Sequence, residues 1–229
     1  MIPEDLIYTI STWALPVLLA VTLHEAAHGW VAMKLGDPTA KELGRVSFNP
    51  LKHIDLVGTV ILPALLMLAS GGRFMFGFAK PVPVNFSRLR RPKREMILVA
   101  AAGPGINLLM ALVAAMAFHG VILLDQPYRD WGIHNLANAL WINLLLAVFN
   151  MLPIPPLDGG RVAVGLLPWS IGQYLVRLER VGIFIVLGGI FVLPWIGGMM
   201  GLELNVFWWL VISPVEHLQD AILNIVGLR

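Results

Sequence analysis

Residues 6–28 read LIYTISTWALPVLLAVTLHEAAH, a run that is uncharged until it reaches His24-Glu25-Ala26-Ala27-His28. A helix crosses a bilayer with about 20 apolar residues, so this run predicts a spanning helix that ends in ionisable side chains. Such side chains are costly within a membrane and indicate a functional site. On a helix, positions i and i+4 share a face, so His24 and His28 can bind one zinc ion. Glu25 lies one step round the helix, close enough to accept a proton from a water molecule activated there.

The composition is that of a membrane protein. The chain has 229 residues, of which 58% are hydrophobic and only 13% are charged, whereas a soluble domain is about half apolar and a quarter charged. The sequence contains no cysteine. Disulfides and thiolate ligands are therefore excluded, and any metal must be bound through nitrogen and oxygen. We predict an all-α polytopic membrane protein.

Further apolar runs bring the predicted number of spanning helices to about five. They lie at 96–124, 136–157, 181–202 and 204 to about 226, in addition to the first helix at 6–23. A shorter run at 56–69 is interrupted by glycine and proline, and its length favours a re-entrant helix. We treat residues 1–229 as a single transmembrane domain, with a core at 6–161 and C-terminal helices at 181–226.

The basic residues are distributed asymmetrically, and lysine and arginine collect in the cytoplasmic loops of membrane proteins. Five crossings with an external N-terminus would place 15 of the 16 basic residues inside and leave Arg129 outside. The inside residues lie in 34–53, 73–94 and 158–180 and at Arg229. His28 would then lie about 9 Å from the cytoplasmic end of its helix. The site is therefore expected near the cytoplasmic side, where water can reach it.

The segment 150–161, NMLPIPPLDGGR, offers a third metal ligand. Its prolines end the preceding helix because they lack an amide donor, and Gly159 and Gly160 free the backbone beyond. Asp158 is therefore expected on irregular backbone at membrane depth, which is tolerated only where protein or a water-filled cavity surrounds it. A carboxylate commonly completes a catalytic zinc site. The alternative is that Asp158 caps a cytoplasmic helix that begins at Gly159, and the segment alone does not decide between them.

Five stretches of the chain together resemble the site-2 protease family of intramembrane zinc metalloproteases. They are HEAAHGW (24–30), GRVSFNPLKHIDLVGT (44–59), FGFAKPVPVN (76–85), GPGIN (103–107) and NMLPIPPLDGGR (150–161). The resemblance covers most of 6–161 in the family's order. The second and third stretches look like the compact bacterial and archaeal members, which have no PDZ or CBS domain.

The resemblance implies a metalloprotease that hydrolyses a peptide bond in or near the transmembrane segment of other membrane proteins, in a prokaryotic plasma membrane. By this resemblance His24, His28 and Asp158 bind one Zn2+ ion per chain, and Glu25 is the catalytic base. The expected partners are transmembrane protein substrates and the lipid bilayer. The basic cluster 88–94 suits contact with anionic lipid, and no nucleic acid is expected.

Several asparagines lie in the apolar segments. Asn150 is a candidate donor to the oxyanion or to the substrate backbone, and an interhelical hydrogen bond is the alternative. Asn107 is a second candidate for substrate binding, with helix packing as an equal alternative. We interpret Asn138 and Asn143 as packing residues.

The stretch 76–85 predicts a short membrane-associated β-hairpin. Its two prolines lie two residues apart, so both remove donors from the same edge of a strand. Lys80, Val82 and Val84 keep their amide donors on the opposite edge, and we expect this edge to bind substrate by strand addition. An ordinary proline-rich cytoplasmic loop is the alternative.

Two other functions fit part of the pattern. A transporter or metal permease also places histidine, aspartate and asparagine in the bilayer, but such proteins often have internal repeats, and we find no convincing repeat in this chain. Transport also gives no reason for Glu25 to follow His24. An inactive scaffold that binds membrane proteins has no need of Glu25.

Overall fold

The computed structural model describes residues 4–61 and 80–229, together with Leu65, Leu68 and Gly77. The helices are α1 (Glu4–Lys34), α2 (Thr39–Glu42), α3 (Pro92–Val121), α4 (Tyr128–Asn150), α5 (Asp158–Leu166), α6 (Trp169–Leu178), α7 (Gly182–Leu187), α8 (Leu193–Met199) and α9 (Ser213–Ile225). Short 3-10 turns lie at Pro50–Lys52 and Phe86–Arg88, and π-helical turns lie at Leu56–Ile61, Gly188–Val192 and Trp208–Ile212. The described residues are thus helical, as predicted, wherever they have regular structure.

Helices α1, α3 and α4 pack against one another and form the centre of the molecule. The core between α3 and α4 combines small with branched side chains: Ala111, Ala114, Ala115, Leu140 and Leu144. Small residues let the backbones of membrane helices approach closely. Close packing is needed there because lipid supplies no hydrophobic force to drive helices together. Helix α5 packs on α3, which brings its first residue, Asp158, to this three-helix centre.

Four helices in the described part of the chain are long and apolar enough to cross a membrane: Ile7–Lys34, Pro92–Val121, Tyr128–Asn150 and Gly182–Met199. The prediction was about five. The run that begins at Leu204 does not qualify, because Glu216, Gln219 and Asp220 make its second half polar.

Helix ends depart from the prediction where the chain contains proline. The predicted helix at 136–157 is instead α4, which begins earlier and ends at Asn150. The proline-rich residues 151–157 form turns that lead into α5. In the other direction, α1 continues through the histidine motif to Lys34. Both histidines therefore lie within a regular helix, as the i and i+4 spacing requires.

The last helix comprises the π-helical turn Trp208–Ile212 and α9, and it runs in the opposite direction to the one predicted. Its beginning lies beside the end of α4, where the Phe207 and Phe149 ring centroids are 6.3 Å apart. Its end lies beside the end of α3, where His119 Nε2 donates to Val226 O at 2.8 Å. Val215 packs against the α3–α4 core between these points. The end of the chain therefore lies beside the end of α3 and the beginning of α4, not with the loop that follows α1.

The predicted hairpin is wrong for the described residues of 76–85, which contain no β-strand. The physical reason is that other groups use the backbone donors of the strap, as we name residues 80–85. Its N–H groups donate to His53 O at 2.9 Å, to Glu25 Oε2 at 2.7 Å and to Asp37 Oδ2 at 2.6 Å.

The predicted re-entrant helix at 56–69 is described only in part. Residues Leu56–Ile61 form a π-helical turn. Asp55 precedes this turn, and its Oδ1 accepts from the N–H groups of Val57 and Gly58. Beyond this turn, Leu65 and Leu68 are helical, and the other residues of the run lie outside the described ranges.

Candidate metal centre

Two imidazoles project from one face of α1 into the three-helix centre. His24 and His28 are 6% and 9% exposed, and their ring centroids are 4.7 Å apart with the planes nearly perpendicular. This arrangement follows directly from their i and i+4 spacing on a regular helix. Their Nε2 atoms both face the beginning of α5.

Asp158 completes the group. Its Oδ2 atom lies 3.1 Å from His24 Nε2 and 3.3 Å from His28 Nε2, and ligand atoms from the three residues lie within 4.8 Å of one another. Glycines make this position possible, because a Cβ at Gly159 would overlap the Met151 carbonyl. The structure thus brings together the three predicted ligands. Asp158 is the first residue of α5, whose N-cap is Leu157, and its side chain makes no capping hydrogen bond. The alternative that Asp158 caps this helix is therefore wrong.

The hydrogen bonds on the far side of each ring show that the group fits a cation. His28 Nδ1 lies 2.7 Å from Val99 O, and a carbonyl can only accept, so this nitrogen carries the proton. His24 Nδ1 lies 2.5 Å from Asn107 Oδ1. In the neutral rings, both Nε2 atoms therefore direct lone pairs at a carboxylate oxygen. Three electron-rich atoms at this spacing suit a metal ion with nitrogen and oxygen ligands.

Gly103 on α3 provides the space beside these atoms. A Cβ built at this position would lie 2.5 Å from His24 Nε2 and 2.6 Å from His24 Cε1, and it would also overlap His28 Nε2. No side chain larger than hydrogen is compatible with the observed rings. The neighbouring Gly105 has open space around its Cβ position, so the restriction is specific to position 103.

Glu25 is positioned by the backbone of the strap. The Val82 N–H donates to Glu25 Oε2 at 2.7 Å. The Val82 side chain is 8% exposed and lies over Gly29, one helical turn along α1 from Glu25. A main-chain donor therefore fixes one oxygen of the carboxylate next to the two histidines.

The ends of the strap are bound by side chains that sequence patterns did not single out. Lys80 donates its N–H to His53 O at 2.9 Å and accepts from Arg45 at 2.7 Å. At the other end, Asp37 is fully buried. Its carboxylate accepts from the Thr39 N–H at 3.1 Å, from the Thr39 hydroxyl and from the Asn85 N–H at 2.6 Å.

Burial raises the pKa of Asp37, but the hydrogen bonds from Thr39 and Asn85 and the nearby Arg88 outweigh it, so the folded-state pKa lies below its ordinary value. Asp37→Asn replaces one acceptor oxygen with a donor that faces an N–H group. We expect a loss of roughly 1–3 kcal/mol of stability, measured by thermal unfolding in detergent, whereas the exposed Asp125→Asn should change nothing.

The pH dependence of this loss follows from the lowered pKa. Asp37 contributes its full stabilisation above the unfolded-state pKa, near 4, and loses it as the pH falls through the lower folded-state value. The stability difference between the wild type and Asp37→Asn should therefore shrink on acidification. A difference that grows as the pH falls would contradict the assignment.

The remaining predicted residues occupy different surroundings. Asn150 is half-buried at the end of α4 and donates to Leu146 O of its own helix at 3.0 Å. Asn107 is fully buried, with hydrogen bonds to His24, Ala20 and Asn143. The N–H groups of Lys80 and Val82 are engaged as described above, and the described residues provide no acceptor for the Val84 N–H.

Sequence reasoning missed Gly103, Val99, Asn143 and Asp37 as contributors to this site. The first three act across helix interfaces, and no local spacing indicates which faces meet. Asp37 carried one usable signal: an aspartate two residues before a threonine, directly after a helix, is a common hydrogen-bonded turn. That signal predicts the contact with Thr39 but not the contact with Asn85.

Comparisons with known proteins identify the family of the chain. Residues 119–193, which include Asp158, match the family model described as peptidase family M50. The chain is 37% identical over 190 residues to YwhC of Bacillus subtilis, named provisionally as a zinc metalloprotease, and the match covers 78% of each protein. It is 31% identical over 142 residues to Rip2 of Mycobacterium tuberculosis, named in the same way, over 62% of this chain and 52% of Rip2. No solved structure matches the chain.

Four candidate membrane-spanning helices and a buried His/His/Asp group, both found in the described part of the chain, are what a membrane-embedded metalloprotease requires. The similarity to YwhC extends over more than two thirds of both proteins. The chain belongs to peptidase family M50, the site-2 protease family, and is an intramembrane zinc metalloprotease.

Proposed function

We propose that the protein is an endopeptidase that cleaves other membrane proteins in or near their transmembrane segments, with one Zn2+ ion bound by His24, His28 and Asp158. The observation that carries the proposal is the convergence of two Nε2 lone pairs and one carboxylate oxygen beside Gly103. Glu25, adjacent to the first ligand, is the proposed general base.

The residues of the chain divide the chemistry among them. Zinc, when bound in this family's sites, polarises the scissile carbonyl and lowers the pKa of water. Glu25 accepts a proton from the attacking water and later donates it to the leaving amine. Because the Val82 N–H engages Oε2, Oε1 is the oxygen available for this transfer. The strap therefore orients the base as well as lying over it.

Asn150 is the proposed donor to the developing oxyanion or to the substrate backbone. An amide group has two N–H bonds, and among the described residues Nδ2 makes one hydrogen bond, to Leu146 O. Its position at the end of α4, eight residues before Asp158, supports the assignment. A preorganised donor of this kind stabilises negative charge as it forms.

We place the site near the cytoplasmic side, with the N-terminus outside. The basic segments 34–53 and 158–180 lie at the same end of α1 and α4 as the strap, and Arg129 lies at the opposite end. Because the last helix runs in the opposite direction to the one predicted, Arg229 lies at the same end as Arg129. Most lysine and arginine residues still belong to the segments at the other end. Water from the cytosol then has a short path to Glu25.

We still propose that substrate binds by strand addition, but through the Val84 N–H alone and not through all three predicted donors. Lys80 and Val82 already donate their N–H groups within the protein. The described residues provide no acceptor for the Val84 N–H, so we assign this donor to an extended substrate. A bound substrate strand would form its first hydrogen bond there. An extended substrate is required in any case, because a helix hides its own amides.

Val84→Pro tests this proposal because it removes that donor without touching the Glu25 contact. One backbone hydrogen bond contributes about 1 kcal/mol, so kcat/KM for a native substrate should fall about 5-fold. Val84→Ala, which keeps the N–H, is the matched control and should cleave normally. Equal activity of the proline and alanine variants would exclude strand addition at Val84.

The proposed reaction itself is tested by comparing membrane proteomes of cells that carry the active protein or Glu25→Gln. Mass spectrometry of new N-termini should reveal fragments cut within apolar segments only in the active cells. These fragments would also identify the substrates. New N-termini confined to soluble domains would contradict cleavage within the membrane.

A further inference from the structure

We infer that Asn143, on α4, sets the zinc affinity of the centre by fixing the tautomer of His24 through Asn107. The inference rests on the proposed metal-binding role of His24. The three side chains come from α4, α3 and α1 and form a continuous buried chain, with Asn107 and Asn143 only 0% and 1% exposed. Neither asparagine is needed as a ligand.

The direction of this chain is fixed by backbone carbonyls, which can only accept hydrogen bonds. Asn143 donates through Nδ2 to Ala139 O at 2.8 Å, so its Oδ1 faces α3. There it accepts from Asn107 Nδ2 at 2.7 Å. Asn107 Nδ2 also donates to Ala20 O at 3.2 Å. The positions of the oxygen and nitrogen atoms in both side-chain amides therefore follow from their hydrogen-bond partners.

The chain ends at the metal ligand. Because Asn107 Nδ2 faces Asn143, Asn107 Oδ1 faces His24 and accepts from Nδ1 at 2.5 Å. The proton of the neutral ring is thereby held on Nδ1, and Nε2 presents a lone pair toward Asp158. Only this tautomer of His24 can bind a metal ion through Nε2.

His24 depends on this chain more than His28 does. The proton of His28 is held by a backbone carbonyl, Val99 O, which cannot rotate. Asn107 is a side-chain amide, and without the acceptor at Asn143 only its longer hydrogen bond to Ala20 O, at 3.2 Å, still favours the observed orientation. In the flipped state its NH2 group faces His24 Nδ1, which then accepts and moves the ring proton to Nε2. That tautomer competes with the metal.

This places Asn143 as a positioning residue, and zinc affinity is its direct readout. Asn143→Leu removes the acceptor, fills the volume and excludes water. Loss of the direct hydrogen-bond partner of a metal ligand costs about 10–100-fold in metal affinity, and because Asn143 acts through Asn107 we expect a loss at the lower end, about 10-fold. The measurement is the zinc dissociation constant of the purified full chain in detergent, obtained by competition with a chromogenic chelator.

Asn135→Leu is the matched control. Asn135 is on the same helix, is 8% exposed, and donates to the carbonyl four residues earlier, Trp131 O, at 3.0 Å. It has no link to His24, and its Oδ1 is without a partner. Zinc affinity should be unchanged. Equal weakening by both leucine variants would mean that helix packing is responsible, and it would overturn the inference.

Asn143→Ala provides a second route if the leucine variant does not fold, because alanine also lacks the acceptor and is the best helix former. Solid-state nitrogen NMR of histidine-labelled, zinc-free protein reports the tautomer directly. The wild type should carry the His24 proton on Nδ1, and the variants should carry it partly on Nε2. An unaltered tautomer together with unaltered zinc affinity would refute the inference.

Failure of the inference is distinguishable from failure of the proposed function. A wild-type protein that does not bind zinc would contradict the metal centre itself. If the wild type and Asn143→Leu bind zinc with equal affinity, the metal centre stands and only the role of Asn143 is refuted.

Discussion

Gly103→Ala is expected to prevent zinc binding and, with it, proteolysis. The added Cβ would lie 2.5 Å from His24 Nε2 and would overlap His28 Nε2 as well. The rings cannot retreat, because Asn107 and Val99 hold their far sides in a closely packed interior. Zinc measured by plasma mass spectrometry should fall from about one ion per chain in the wild type to near zero in the variant.

Gly105→Ala is the control for this prediction. It lies on the same helix, and its Cβ would meet nothing within 4 Å. Both substitutions favour the helix by about 1 kcal/mol, so a general effect on α3 would stabilise both variants alike. Thermal unfolding should therefore show two folded proteins, of which only Gly105→Ala contains zinc and cleaves substrate. A zinc-loaded, active Gly103→Ala protein would contradict the geometry.

Glu25→Gln is expected to abolish hydrolysis while leaving zinc bound. Glutamine keeps the shape of the side chain, and its carbonyl oxygen can still accept from the Val82 N–H, but it cannot accept the proton of water. Loss of a general base typically costs 10²–10⁴-fold in rate, and the zinc content should equal that of the wild type. The measurements are cleavage of a substrate identified by proteomics and zinc analysis of the same preparation.

The control for this variant is Glu42→Gln, which removes an exposed carboxylate that pairs only with Arg88 at the surface. Its activity should match the wild type. Hydrolysis that persists in Glu25→Gln would exclude Glu25 as the base. Zinc uptake by vesicles containing either form would instead favour the permease interpretation.

The sequence predicted most of the fold and the residues that converge at the candidate metal centre for identifiable physical reasons. Apolar runs of spanning length require helices, and the i and i+4 spacing on α1 requires that His24 and His28 share a face. Asp158 was found because it lies on backbone that prolines and glycines make irregular. These features depend on local pattern, which a sequence displays directly.

The features that sequence analysis missed depend on which surfaces meet. The strap was predicted as a strand edge because its proline spacing leaves donors free. Two of those donors, the N–H groups of Lys80 and Val82, instead donate to groups distant in sequence, the His53 carbonyl and the Glu25 carboxylate. The direction of the last helix depends on where Val215 packs. Asn143 was interpreted as a packing residue because nothing in its neighbourhood indicates a path to His24 through another helix.

The contact between Val82 and Glu25 has a consequence for mutational mapping. The donor is a main-chain amide, which every residue except proline supplies. A conventional scan that replaces each side chain in turn would leave this hydrogen bond intact and would report position 82 as an apolar anchor alone. Substitution of side chains therefore does not detect the N–H group that orients Glu25. The residue at position 82 can change to any type except proline and still supply this donor.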